Sequence, residues 1–326
     1  MCVVAIVLIA ATISQHVSTT LERFEYWQPH MGTLVRITVY AADGPAATRA
    51  ADAAFARIGG LDQTLSDYRN SSELTRVSGQ SGGGPVAISD DLFRVLRAAA
   101  VMARDSGGAF DVTIGPLSVL WRHARRAGEL PDAASLAAAR ALVGAGNLEL
   151  DEARRSVRLL KPRMQLDLGA IAKGFAADEA AAVLTSHGMD RALVAVGGDI
   201  VATGPPPGKP GWRVAAASIG GAEPGGFLNL RQAGISTSGD AEQFVVLSGV
   251  RYSHIIDPRT GMPLTGRHSV TVVAPNGTTS DALATAVSVM GATAGMRLVD
   301  ATAGAAARMT EETAAGIRTY QSSRWR

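Results

Sequence analysis

The stretch LDLGAIAKGFAADEAAAVLTSHGMDRALVAVGGDIVATG, residues 166–204, decides the reading of the fold. Its first part passes from a short apolar run through Gly169 and Gly174 into a long alanine-rich helix, and its last part, ALVAVGGDIVATG, reads as strand, turn, strand. A helix followed by a hairpin is not the crossover unit of a parallel sheet. Elsewhere, too, strands arrive in runs with helices interposed and without regular βαβ alternation. The expected class is therefore α+β with mainly antiparallel sheet.

Working outward, residues 147–161 predict a hairpin around the polar DEARRS, and the alanine-rich Ser135–Val143 behind Pro131-Asp132 predicts a short helix. AFDVTIGPLSVLW, residues 109–121, reads as a buried strand and turn. Helices are expected over 45–65, where Phe55, Ile58 and Leu61 recur at helical spacing, and over 90–105, closed by Gly107-Gly108. EYWQPHMGTLVRITVY, residues 25–40, reads as a strand that follows a short loop at His30-Met31-Gly32. Downstream, GPPPGKPG is a surface loop, and strands and turns continue to helices at 280–291 and 293–302. No internal repeat and no clear linker divides the chain.

With 326 residues, 47% of them hydrophobic and 18% charged, the chain can bury a large core. Basic and acidic residues number 31 and 29, and the arginines are scattered, so no nucleic-acid footprint exists. A single cysteine, Cys2, excludes an internal disulfide and a cysteine-built metal cluster. The uncharged apolar run Val3 to Ile13 has the length of a signal-peptide core, so residues 1–24 are expected to be a signal peptide or N-terminal anchor ahead of one domain at 25–326. The missing positive charges before that run argue against a signal peptide and keep a buried first strand as the alternative.

Three segments carry candidate chemistry. In SDALATA, residues 280–286, Ser280 suits an N-cap, Asp281 the first helical turn, and Thr285 lies four residues on, so a carboxylate and a hydroxyl share one face. That pair suits a hard cation such as Mg²⁺, which is commonly held by one or two protein groups together with phosphate oxygens. A carboxylate near a helix start also complements the helix dipole, and for this pair taken alone ordinary capping is the favoured reading. In RYSHIIDPRTG, residues 251–261, alternation sends Tyr252, His254 and Ile256 to one face, and the Asp-Pro and Gly261 predict a turn. His254 is either a general base or a histidine satisfied by an ordinary hydrogen bond. GAIAKG offers backbone groups at a helix start, with Lys173 adding positive charge for an anion, and fits neither the P-loop nor the dinucleotide spacing. Tyr68, in a polar loop, could stack on a flat ring.

The set says more than its members. MGT at 31–33, DYRNSSELTRVS at 67–78, FDVTIGPL at 110–117, LDLGAIAKGFAAD at 166–178, VGGDI at 196–200, ISTSGD at 235–240, HIIDPRTG at 254–261 and SDALATA at 280–286 follow one another in a family order. In these motifs the chain, from about Glu25 onward, resembles the ApbE family of flavin transferases, the FAD:protein FMN transferases.

The resemblance implies an α+β fold related to the tunnelling fold and FAD as substrate in a cleft, with Mg²⁺ on its diphosphate. It further implies covalent transfer of FMN to a threonine or serine of an acceptor flavoprotein, on the periplasmic side of a bacterial inner membrane. By the same resemblance Asp281 and Thr285 match the metal-binding pair, and the carbonyl of Ala170 completes the protein ligands. His254 matches the base, and Tyr68 the residue stacked on the isoalloxazine ring. Met31, Asp111, Lys173, Asp199 and Ser238 fall in motifs of the FAD pocket. Ala241 departs from the tyrosine found in many members. Two other outcomes stay open: Mg²⁺-dependent hydrolysis of FAD to FMN and AMP, and flavin binding without turnover. The acceptor's identity and the oligomeric state are not encoded in these motifs.

Overall fold

The computed structural model describes residues 20–219, 225–239 and 244–325. The run Val3 to Ile13 and Ala241 lie outside the described residues. The scaffold is an eight-stranded sheet built from Glu22–His30, Thr33–Ala41, Ala192–Val196, Asp199–Ala202, Ala233–Gly239, His268–Ala274, Ala306–Thr313 and Gly316–Gln321. These strands neighbour one another in chain order, and every pair is antiparallel. The α+β expectation holds.

The first strand starts earlier than the sequence suggested. EYWQPH is itself strand, the second half of Glu22–His30, and the two-residue turn Met31-Gly32 has φ of 51° and 70°, the signature of a type I′ hairpin. Pro29 is tolerated because this strand is the sheet edge, where a missing N–H breaks no inner ladder. Gly197, at φ 61°, opens the equally tight turn between Ala192–Val196 and Asp199–Ala202.

Three long helices, Gly44–Leu65, Ala172–Ser186 and Gly277–Ala301, lie side by side and cover one face of the sheet. Ile58, Leu61, Leu184 and Leu283 are fully buried there, each contributing roughly 1.5–3 kcal/mol through lost apolar hydration. Over the central strands the other face is covered too. The hairpin Trp212–Ala215 and Phe227–Leu230 sets Trp212, Val214 and Leu230 against Leu193, Ile235 and Val273.

Two sequence expectations are corrected. Residues 109–121 are not strand and turn: a single turn at Val112–Ile114 leads into a helix, Gly115–Ala127, with Pro116 in its first turn. Leu117, Trp121 and Ala124 form its buried stripe at intervals of four and three, a period masked by the valines and isoleucine around it. That stripe packs on Leu247, Tyr252 and Ile256 of a three-stranded sheet, Phe244–Leu247, Val250–Ile256 and Pro263–Thr265. The second correction concerns the helix expected at 280–291. It begins at Gly277 behind Asn276, whose side chain accepts from Thr279 N. It breaks at Gly291 (φ 74°, ψ 174°) before running on to Ala301. Ser280 is therefore not its cap, and Asp281 lies beyond its first turn.

Candidate functional site

Two helix starts cross at a pair of glycines. A Cβ on Gly174 would fall 2.1 Å from the Gly277 carbonyl oxygen, and one on Gly277 would fall 2.6 Å from that of Gly174. Only glycine permits this approach. It brings Asp281 across to the other helix, where its Oδ2 accepts from Gly174 N at 3.0 Å. The capping role expected of Asp281 is real, but the helix it caps is not its own.

Lys173 is drawn into the same place. Its Nζ lies 2.8 Å from Asp199 Oδ2 and 3.8 Å from Asp281 Oδ2, and donates to the Gly169 carbonyl at 3.3 Å. Asp199 and Asp281 are both buried. Burial, and then the charge of Asp199, push the Asp281 carboxyl up to about 7, against the pull of Lys173 and of the Gly174 N–H. Burial alone would lower Lys173, but the two carboxylates outweigh it and hold its ammonium above the usual range. Two carboxylates against one ammonium leave the cluster short of positive charge.

The oxygens around it fit a hard cation. Gly174 is the third residue of its helix, so its N–H has no acceptor within the helix and Asp281 supplies one; the Ala170 carbonyl, just ahead of the helix, accepts no backbone bond among the described residues. Asp281 Oδ1 likewise takes no hydrogen bond among the described residues. Thr285, one turn further along, is half-buried, and its hydroxyl makes no hydrogen bond there either, whereas Ser288 and Thr302 of the same stretch bond back to carbonyls at 2.9 Å. A carbonyl, a carboxylate and a hydroxyl with spare lone pairs suit Mg²⁺. Among the described residues no group of three or more histidine, cysteine or acidic side chains stands together as a metal site, so any cation here would be held by a mixed set of oxygens.

Tyr68 is 76% exposed, and the Arg122 guanidinium carbon lies 4.4 Å from its ring centroid. Arg122 also pairs with Asp67 and, at 3.0 Å, with Asp167, whose Oδ1 accepts from Gly169 N at 2.8 Å. The tyrosine is thus tied to the turn that presents the Ala170 carbonyl. One face of its ring is occupied by the cation.

Met31 belongs to the hairpin turn whose next residue, Thr33, abuts Gly197, just ahead of Asp199. Asp199 pairs across the sheet with Ser236, and Ser236 Oγ meets Ser280 Oγ at 2.8 Å. Ser238, half-buried, lies two residues further along that strand. Asp111 is placed apart from this group. Its carboxylate is taken by Thr113 N and Oγ1 at 2.8 and 2.7 Å, and Thr113 Oγ1 accepts from Gly144 N, so it braces two loops.

His254 is exposed, although its neighbours on both sides are buried. Simple alternation fails because the pairing of Val250–Ile256 with Pro263–Thr265 shifts register between Tyr252 and Ile256. Tyr252 and Ile256 pack against Trp121, while Ile255 reaches Val289 on the far side. The DPRTG turn that follows is a clamp. Asp257 accepts from Arg259 N, Nε and NH2 at 2.9 Å each, and Arg259 NH2 reaches the Val289 carbonyl. Gly261, at φ 78°, offers its carbonyl to Trp121 Nε1 at 2.8 Å. This motif anchors the small sheet to the helix that carries Asp281 and Thr285. Sequence reading missed the Asp257 clamp, Arg122 and the crossing glycines. Only the dense glycine and aspartate of the motifs hinted at them.

Fold and site together define an antiparallel α+β protein that gathers a lysine, buried carboxylates and unpartnered oxygens at a helix crossing, with an exposed aromatic ring joined to it. The chain belongs to the ApbE family, which it matches over residues 31–309. It is 38% identical over 286 residues to the FAD:protein FMN transferase of Treponema pallidum, covering 80% of this chain and 77% of that one. With the enzyme of that name from Klebsiella pneumoniae it shares 32% over 304 residues, 91% of this chain and 86% of the other. Flavin transferase ApbE from Vibrio cholerae superposes with a TM-score of 0.83 at 31% identity, over 93% of this chain and 98% of that one. The apo flavinyl transferase ApbE of Pseudomonas stutzeri gives the same score and identity, covering 93% and 96%.

Proposed function

We propose that this chain is an FAD:protein FMN transferase that joins the FMN half of FAD to a threonine or serine hydroxyl of an acceptor flavoprotein and releases AMP. The observation that carries the reading is three oxygens without protein partners among the described residues, on Ala170 and Asp281 at the helix start beside Lys173 and on Thr285 one turn beyond Asp281. The family to which the chain belongs, and the names of its relatives, support the same activity.

In the reaction the acceptor oxygen bonds to the FMN-side phosphorus as the bond from that phosphorus to the oxygen shared with AMP breaks. Mg²⁺, when bound, would neutralise diphosphate charge. Ala170, Asp281 and Thr285 would hold it. Lys173 supplies a fixed positive charge, and Asp199 keeps that ammonium oriented. Tyr68 would carry the isoalloxazine on the ring face that Arg122 leaves open, with Met31 and Ser238 along the same pocket. His254, exposed and on a braced strand, would take the acceptor's proton. A positioned base contributes roughly 10²–10⁴ in rate to such a step.

We further propose export to the periplasmic side of a bacterial inner membrane, supported by the uncharged run Val3 to Ile13. A fusion of residues 1–30 to a reporter active only outside the cytoplasm tests this; a silent reporter contradicts it. The activity itself is tested by separating the products of FAD, Mg²⁺ and an acceptor peptide incubated with the protein. Flavin covalently on the peptide supports transfer. FMN and AMP with an unmodified peptide would instead make the protein a hydrolase, and unchanged FAD would make it a flavin carrier.

A further inference from the structure

The crossing of the two helices is held by a reciprocal pair of caps. Asp281 stands four residues after Gly277 and accepts from Gly174 N. Asp178 stands four residues after Gly174 and accepts from Gly277 N at 2.7 Å, from Thr278 N at 2.8 Å and from Thr278 Oγ1 at 2.6 Å. Each helix thus lends an aspartate to the other's first turn, around the contact of the two glycines. Asn276 takes the next amide, Thr279 N, at 2.7 Å, so it is Asp178 that takes the amides of the first two residues of the helix that bears Asp281 and Thr285.

We propose that Asp178 is a positioning residue for the cation-holding group, setting where Asp281 and Thr285 stand relative to the Ala170 carbonyl without touching the cation itself. The inference rests on the magnesium reading given above. Asp281 and Thr285 belong to one helix and Ala170 to the turn before the other, so their mutual distances depend on how the two helix starts are joined. Of the two caps, the one made by Asp281 is shared with the site, so Asp178 is the cap with no ligand duty. Partners that orient metal ligands from behind change metal affinity about 10–100-fold when lost.

The test is Mn²⁺ binding to the full chain with FAD present, followed by electron paramagnetic resonance, in Asp178→Asn and in Thr278→Val, which removes only the hydroxyl bond. Asp132→Asn is the control, because Asp132 caps a remote helix through Ser135 N and Oγ at 2.8 and 2.6 Å. The expected result is a 10–100-fold weaker Mn²⁺ affinity in Asp178→Asn and a smaller loss in Thr278→Val. Asp132→Asn should bind like the parent. Transfer by Asp178→Asn should recover at high Mg²⁺, a rise in the metal requirement with little change in the limiting rate. Parental Mn²⁺ affinity in both site variants, with thermal stability lowered as in Asp132→Asn, overturns the proposal and makes Asp178 an ordinary cap. A parent protein that binds no Mn²⁺ overturns the magnesium reading itself and the proposal with it, a failure seen in the parent and so distinct from the variants' behaviour.

Discussion

Gly174→Ala tests the helix crossing, because two effects of opposite sign compete there. In an ordinary helix the change stabilises by roughly 1 kcal/mol, since glycine is the poorer helix former. Here the new methyl carbon would stand 2.1 Å from the Gly277 oxygen and 2.8 Å from Asp281 Cβ, where ordinary contact begins near 3.4 Å. The helices must part by about 1.3 Å, the difference between 3.4 and 2.1, and the obstacle is backbone that no rotamer change can move. Overpacking of this kind costs roughly 1–3 kcal/mol or more. We expect net destabilisation of up to about 2 kcal/mol, a fall in melting temperature on the order of 2–8 °C. Transfer should drop further than stability does, because the shift carries Asp281 away from Gly174 and Lys173. Gly60→Ala is the internal control: it lies in the helix Gly44–Leu65 with nothing within 4 Å of its Cβ position, and it should stabilise. Thermal melts of both variants, with transfer measured per folded molecule, decide the matter. A Gly174→Ala protein that melts higher than the parent and transfers at the parental rate would refute the crossing as described.

Tyr68→Ala should weaken FAD binding by roughly 0.5–1.5 kcal/mol, the worth of a stacked ring, as read by titration. His254→Ala should keep FAD affinity while transfer falls by about 10²–10⁴, measured as turnover at saturating FAD. Asp281→Ala should abolish most transfer, read as turnover per folded molecule because the lost acceptor of the buried Gly174 N–H and the relief of a strained buried carboxylate act on stability with opposite signs, whereas Thr285→Ala should lower activity less and leave stability unchanged. Arg57 bridges Asp91 and Glu179, and Arg94 joins Glu179 at 2.7 Å. The Arg57 hydrogen bond lowers Asp91; for Glu179 burial raises the carboxyl, but the bonds from Arg94 and Arg57 prevail and lower it. Depressed carboxyls stabilise above their unfolded values, near 4, and lose that contribution as pH falls through their folded ones. Arg57→Gln should therefore be less stable than the parent at neutral pH, with the difference shrinking below about pH 4 in denaturant titrations.

Much of the fold was legible because its elements carry strong local patterns. The helix Gly44–Leu65 shows its apolar stripe, Asp90–Asp105 its terminal glycines, and the hairpin through Gly197-Gly198 its turn. Residues 109–121 misled because a run rich in valine, isoleucine and leucine satisfies both periods, and Pro116 reads as a turn as readily as a first helical turn. The start at Gly277 was hidden for a different reason. Part of its capping comes from Asp178, some hundred residues away in sequence, and no local rule can see a donor's partner at that range. In the site, residue types announced Asp281, Lys173 and His254 as chemistry, but their juxtaposition depends on two glycines whose contact exists only in three dimensions. The exposure of His254 was likewise unreadable, because it follows from a register shift between strands.

In the proposed reaction the oxygens of Ala170, Asp281 and Thr285, together with His254, serve transfer of FMN to a protein hydroxyl. The most direct measurement is the intact mass of an acceptor flavoprotein domain after incubation with this chain, FAD and Mg²⁺, beside a sample in which EDTA replaces the metal. The account predicts a gain equal to one FMN less one water, one AMP released per acceptor modified, and neither when the metal is withheld. An acceptor whose mass is unchanged while FAD is consumed, or a full mass gain in EDTA, would contradict it.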